Sequence, residues 1–155
     1  MSDPTDCWSY RYDNSRRHKE PLAVGFPTTH QQIDDTVTLC KAHHVAITAR
    51  GTGTTGASVP SDKAIVLSTE QMANIIKIDS DNRLMVVEPG VTNQAIQQAA
   101  ANTDSFGRPD PTSSAICTVG GNLAYNSAIP RAVKYGTPRE NTLGPNLCHW
   151  RRKNP

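Results

Sequence analysis

"ITARGTGTTGASVP", residues 47–60, decides how the chain is read. Gly51, Gly53 and Gly56 stand at G-x-G-x-x-G spacing directly after a β-branched run, "VAITAR" (45–50). In a Rossmann unit those glycines open a helix whose N-terminus meets a pyrophosphate. Here "ASVPSDKAIVLS" (57–68) brings Ser58, Pro60 and Ser61 and then returns to an apolar strand pattern. The pattern therefore predicts that the loop 51–60 joins two strands. A Walker loop is excluded as well, because Ala57 and Ser58 follow Gly56 where Gly-Lys-Ser/Thr chemistry requires a lysine. The loop chemistry survives without a helix. Glycines accept φ > 0, and successive N–H groups can then curl into a concavity that holds an anion. Thr52, Thr54, Thr55 and Ser58 add hydroxyls, and Arg50 adds charge at the mouth of the strand. On this stretch alone, an anion-holding loop and a flexible surface loop both stay open.

Working outward, "PTTHQQIDDTVTLCKAHH" predicts a helix over 29–43. Thr28 or Thr29 can cap it, with Gln31 or Gln32 three residues later. Ile33, Val37 and Cys40 form its inner stripe, with Leu39 beside them. Strands are predicted over 45–50 and 64–69. A strand pair comes next, across the turn Asp79–Asn82, and Thr92 caps an Ala/Gln-rich helix over 92–102. Residues 21–100 are expected to form one small lobe. From Ser105 to Gly121 the chain is punctuated by Gly and Pro and reads as loop. Helices between short strands indicate a mixed class.

The totals bound the rest. A chain of 155 residues makes about one domain, but 36% hydrophobic residues with two Phe and two Trp hint at an incomplete core. Net charge is +2 with scattered basic residues, so no nucleic-acid partner is indicated. No apolar run reaches membrane-spanning length and "MSDPTDCWSY" lacks a signal-peptide core, which reads as cytoplasmic. Cys7, Cys40, Cys117 and Cys148 lie far apart without a C-x-x-C pair and read as structural thiols. His43-His44 reads as a solvated helix end rather than a metal site, and no metal ligand set is found.

A second stretch resolves the glycine loop. "RPDPTSSAICTVGGNLAYN" carries Pro109-Asp110-Pro111, then Thr112, Ser113 and Ser114, then Gly120-Gly121-Asn122. Two rigid prolines flanking small hydroxyl residues make a fixed wall of donors, and the Gly pair lets backbone approach a flat ligand. With "YDNSRRH", "FPTTHQQI", "VVEPGVTNQAI" and "PRAVKYGTPRENTLG", this stretch and the glycine loop resemble the PCMH-type FAD-binding domain of the vanillyl-alcohol oxidase superfamily. The closest branch holds FAD-linked D-lactate dehydrogenases, the glycolate oxidase flavoprotein subunit and D-2-hydroxyglutarate dehydrogenase. The resemblance runs from about Trp8 to Gly144.

It implies an α+β fold: a small parallel α/β lobe, then the start of a larger antiparallel lobe that is truncated here. It implies FAD as the cofactor and oxidation of a small 2-hydroxy acid by hydride transfer to the flavin, with substrate groups coming from a cap domain in the full-length relative. Arg50, Gly51, Thr52, Gly53, Thr54, Thr55 and Gly56 fall on the loop that wraps the FAD pyrophosphate. Pro109, Asp110, Thr112, Ser113 and Ser114 fall on the wall beside the ribityl chain and flavin. Gly120, Gly121 and Asn122 fall on a close-approach turn. No residue of the chain is assigned a catalytic role.

Three departures from the family pattern shape the expectation for this chain. The glycine loop is two residues short, and each lost charge-assisted hydrogen bond costs about 1.5–3 kcal/mol. Ile129 stands where relatives carry Gly, and a β-branched residue there forbids φ > 0. The later strands, a further Gly-rich segment and the cap are not in the sequence. The domain is therefore read as 1–144, partial, with 145–155 a non-homologous tail. In that tail "CHWRRK" (148–153) can be encoded so that the plus-one frame reads Thr-Gly-Ala-Gly, the turn the family carries there. A frameshift near Gly144 is the expectation, and the nucleotide sequence tests it. Three readings remain: a remnant of an FAD-dependent 2-hydroxy-acid dehydrogenase, inactive by itself; a standalone flavin- or nucleotide-binding module working with a separate cap-domain chain; and a non-enzymatic interaction protein. The remnant is favoured and should purify colourless, whereas a yellow preparation marks the standalone module.

Overall fold

A computed structural model describes residues 1–103, 112–127 and 132–149. The chain divides into two compact units, Met1–Thr69 together with Pro145–Pro155, and Glu70–Gly144.

The first unit is built on three parallel strands in the order β1-β3-β2: β1 (Ala23–Gly25), β2 (Ile47–Arg50) and β3 (Ile65–Ser68). Ile65 is in register with Ala23 on one side and Ile47 on the other. The central strand is the most buried, with Val66, Leu67 and Ser68 all enclosed, as expected for parallel pairing. β1 is only three residues long and carries no strand signal of its own; pairing with β3 makes it a strand. Helix α2 (His30–Ala42) links β1 to β2. Thr29 caps it, and Gln32 reaches back to the residue before the cap. Thr29 Oγ1 accepts from Gln32 N at 3.3 Å, and Gln32 Oε1 accepts from Thr28 N at 2.7 Å. Cys40 is buried and Ile33 and Val37 half-buried, but Leu39 is 61% exposed. Leu39 sits one position, about 100°, off the stripe of i, i+4, i+7 residues. Short helix α1 (Pro4–Cys7) and a 3₁₀ turn (Trp8–Tyr10) precede the sheet. Cys7, Val24 and Val66 form the core there, with Tyr10 and Phe26 packed on it edge to face at 5.5 Å.

The second unit opens with a hairpin, β4 (Ile75–Asp79) and β5 (Leu84–Val87), forming a two-stranded antiparallel sheet of its own. This corrects the expectation of a single lobe over 21–100. The turn between the strands is too short for any but an antiparallel partner, so the pair closes on itself and groups with the helices C-terminal to it. Asp79 Oδ1 accepts from Asn82 N at 3.1 Å across that turn. Helix α3 (Asn93–Ala101) starts at Thr92, whose Oγ1 accepts from Ala95 N at 3.2 Å. Helices α4 (Val119–Tyr125) and α5 (Ala132–Tyr135) complete the unit. The loop expected to run to Gly121 therefore gives way to a helix at Val119, because Thr118 caps it through Gly121 N at 3.3 Å.

Candidate functional site

β2 ends at Arg50 and β3 begins at Ile65, so the glycine loop joins strand to strand, as its context predicts. It leaves the carboxyl end of a strand in a parallel sheet, the edge at which open α/β sheets bind ligands. Gly53 has φ +72°, a left-handed conformation that a side chain resists. Gly51, Gly53, Thr54 and Thr55 are half-buried, and Thr52 and Gly56 are exposed.

Arg50 does not stand at the strand's mouth as a solvent-facing charge. It is 8% exposed; Nη1 donates to Tyr12 O at 2.8 Å and Nη2 to Ser9 O at 3.4 Å, and its guanidinium carbon lies 5.4 Å from the centre of the Tyr10 ring. A guanidinium can be buried only where acceptors meet it, and these carbonyls do so. It also lies directly against Gly53, where an added Cβ would come within 2.6 Å of Nη2. The loop thus has a positive charge packed against its backbone. Ser58 is likewise not open to a ligand: it is buried, and its N–H donates to Asp13 Oδ2 at 2.9 Å. Asp13 lies in the stretch "YDNSRRH", but nothing in those residues alone assigns it to the glycine loop. Burial pushes its carboxyl up, but hydrogen bonds from Ser15 and Ser58 and the Arg50 charge outweigh burial and hold it below the usual carboxylate range. Ser68, fully buried at the end of β3 and in register with Arg50, has a hydroxyl with no hydrogen-bond partner.

In the second unit, the residues from Ser113 to Gly120 are stitched to the segment 89–94. Gln94 N donates to Ser114 O at 2.9 Å, Asn93 N to Cys117 O at 3.0 Å, Val119 N to Val91 O at 2.9 Å and Gly120 N to Pro89 O at 2.9 Å. Thr112 is exposed, and Ser113 and Ser114 half-buried. Gly120, Gly121 and Asn122 lie in the first turn of α4 rather than in a turn between elements. The close approach at Gly120 is real, but Pro89 makes it: an added Cβ would come within 2.8 Å of Pro89 Cβ and 3.0 Å of its carbonyl oxygen. Asn122 is buried, with Nδ2 3.6 Å from Cys117 Sγ. Pro109, Asp110 and Ile129 lie outside the described residues.

A loop with a left-handed glycine, threonine hydroxyls and a buried cation beneath it fits a diphosphate in the chemistry of its donors. Residues 21–148 match the family model described as the FAD binding domain. The chain belongs to this family. Its fold is the PCMH-type FAD-binding fold, a parallel three-stranded sheet with a separate antiparallel one, and the family's cofactor is FAD. Among curated relatives, it is 36% identical over 138 residues to the glycolate oxidase subunit GlcD of Bacillus subtilis, covering 87% of this chain and 29% of that protein. It is 33% identical over 147 residues to the D-lactate dehydrogenase of Archaeoglobus fulgidus (90% and 32%). It is 29% identical over 146 residues to the D-2-hydroxyglutarate dehydrogenase of Xanthomonas citri pv. viticola (92% and 31%). Among solved structures, an alkyldihydroxyacetonephosphate synthase superposes with a TM-score of 0.80 at 18% identity, covering 90% of this chain and 31% of that one. The chain thus spans about a third or less of the length of the proteins it matches.

Among the described residues, no group of three or more His, Cys, Asp or Glu could hold a metal ion, and no helix is long and apolar enough to cross a membrane. Cys7, Cys40 and Cys117 are buried free thiols, and burial pushes the Cys40 thiol up.

Proposed function

We propose that this chain forms the nucleotide-holding part of an FAD-dependent oxidoreductase that oxidises a small 2-hydroxy acid, and that it does not turn over substrate by itself. One observation carries the reading. Glycolate, D-lactate and D-2-hydroxyglutarate, named by three relatives that align over 87–92% of this chain, share one functional group, a hydroxyl beside a carboxylate. FAD supplies the hydride acceptor for such a substrate. The chain's own residues bind and orient it. In this reading Gly51–Gly56 hold the diphosphate through backbone N–H groups and the hydroxyls of Thr52, Thr54 and Thr55. Arg50 supports the loop with its buried charge. Thr112, Ser113 and Ser114, with Pro109 and Asp110, are the residues the family resemblance assigns to the ribityl chain and flavin, and Gly120, Gly121 and Asn122 those it assigns to a close approach of backbone. The groups that bind the hydroxy acid come from outside this chain.

The purified chain is expected to be colourless and to bind added FAD reversibly, with a Kd weaker than about 1 μM, because these residues cover only part of the ligand. Glycolate and D-lactate should not reduce FAD in its presence. Equilibrium dialysis and anaerobic absorbance at the flavin band measure both. Absence of any FAD binding at high micromolar concentration refutes the cofactor role, and flavin reduction by a 2-hydroxy acid refutes the claim that the chain is inactive alone.

A further inference from the structure

The glycine loop is held at its start, its apex and its end by one short stretch that precedes the family match, Ser9–Ser15. At the start, Arg50 donates to Tyr12 O and Ser9 O. At the apex, Asn14 N donates to Gly53 O at 3.2 Å, on the one loop residue with positive φ. At the end, Ser58 N donates to Asp13 Oδ2 at 2.9 Å. Between apex and end, Ser15 Cβ would lie 3.3 Å from a Cβ added at Gly56. The stretch is itself fixed. Asp13 Oδ1 accepts from Ser15 N at 2.8 Å, Arg16 N donates to Asp13 O at 3.2 Å, and Lys19 N donates to Arg11 O at 2.7 Å across the Tyr12–His18 bridge. Asp13 is 5% exposed.

We propose that Asp13 is a positioning residue for FAD: with Asn14 it locks the loop 51–58 in the shape that receives the diphosphate, without touching the ligand. The physical argument is preorganisation. Glycine-rich loops lose the most backbone entropy on ordering, and a clamp that orders the loop before binding removes that cost from the binding step. A carboxylate suits the task because it is acceptor-only and can take two backbone N–H groups at once, one on the clamp (Ser15) and one on the loop (Ser58). Asparagine, its nearest isostere, would turn an NH₂ toward one of those N–H donors.

The inference rests on the FAD reading above, so the test has one arm that needs no ligand. Amide hydrogen exchange is followed in the whole chain for wild type, Asp13→Asn and Asp13→Ala, with Asp81→Asn, an exposed turn residue, as the control for lost charge. Ser58 N and the loop amides should exchange about tenfold or more faster in both Asp13 variants, while Val66 N in β3 stays unchanged. The second arm titrates ADP, which carries the diphosphate without the flavin. Its Kd should rise about tenfold in the Asp13 variants and not in Asp81→Asn. Unchanged loop exchange overturns the clamp whether or not ADP binds. Faster loop exchange with unchanged ADP affinity overturns the positioning role. Loss of Val66 protection in both variants shows Asp13 holding the sheet rather than the loop, and overturns the proposal too. Failure of the wild type to bind ADP or FAD counts against the cofactor reading alone, and the exchange arm still decides the clamp.

Discussion

At the scale of single residues, the loop's charge pair and the glycine at the head of α4 carry the sharpest consequences. Asp13 titrates below the usual carboxylate range in the folded chain because Ser15, Ser58 and the Arg50 charge favour its ionised form over the cost of burial. The group's folded pKa is depressed, so its stabilisation is complete above the unfolded value of about 3.9 and is lost as pH falls through the lower folded value. Arg50 stays charged across that range, so Asp13 is the member of the pair that changes there. Urea unfolding measured from pH 6 down to pH 3 should show the wild type losing stability more steeply than Asp13→Asn, and parallel curves would contradict the assignment. Gly120 makes a second case. Its Cβ position is occupied by Pro89 backbone and ring, which cannot swing away, so Gly120→Ala should cost about 1–3 kcal/mol of overpacking. Gly144→Ala, with nothing within 4 Å, should cost nothing measurable, and thermal denaturation of the two variants separates them. The sequence pattern "VGGN" shows that something approaches closely. It does not show that the partner is Pro89, because that contact depends on how α4 meets the segment before α3.

At the scale of elements, local chemistry made some structure legible in the sequence, and tertiary pairing decided the rest. α2, α3, β2, β3 and the hairpin announce themselves by caps, period and turn residues, and the structure places them within a few residues of where the sequence does. β1 is three residues long and exists through its register with β3. α4 contains two consecutive glycines, each about 1 kcal/mol worse than alanine in a helix, and survives because Thr118 caps it and Val91 and Pro89 accept its first N–H groups. The candidate site divides in the same way. The glycine loop could be read from its own residues, whereas the redirection of Arg50 and the part played by Asp13 depend on hydrogen bonds spanning 38 or more positions. Thr92 tests how far local chemistry carries. Its hydroxyl caps α3 and its backbone bridges to Thr118. Thr92→Ala should cost about 1 kcal/mol and Thr92→Ser a few tenths at most, read as a shift in urea midpoint at constant slope. Equal losses for both variants would mean that the methyl group's packing, not the cap, holds the helix start.

At the scale of the whole molecule, a small core makes ligand binding the largest adjustable contribution to stability. Among the described residues, the fully buried side chains of greatest volume are three valines and a serine, with no aromatic among them. On the hairpin, Ile76 is 64%, Val86 49%, Ile78 42% and Leu84 40% exposed, so much of the limited apolar surface is not in the core at all. Such a chain should sit near the lower end of the ordinary range, about 5 kcal/mol. Anything that binds the folded state alone then adds RT ln(1 + [L]/Kd), which reaches about 2.7 kcal/mol when ligand stands at a hundred times Kd. For a domain near this size, each kcal/mol moves the midpoint by a few degrees, roughly 2–6 °C. The expected outcome is a melting temperature that climbs with the logarithm of FAD concentration up to about 1 mM, and climbs similarly with ADP because the loop reads the diphosphate. Adenosine, which lacks it, should give little. Asp13→Asn should melt lower without ligand and should also show a smaller rise at each ADP concentration, since the loop must then be ordered at the expense of binding. An equal rise with adenosine and ADP would place recognition on the base rather than on Gly51–Gly56, and would remove the glycine loop from the site.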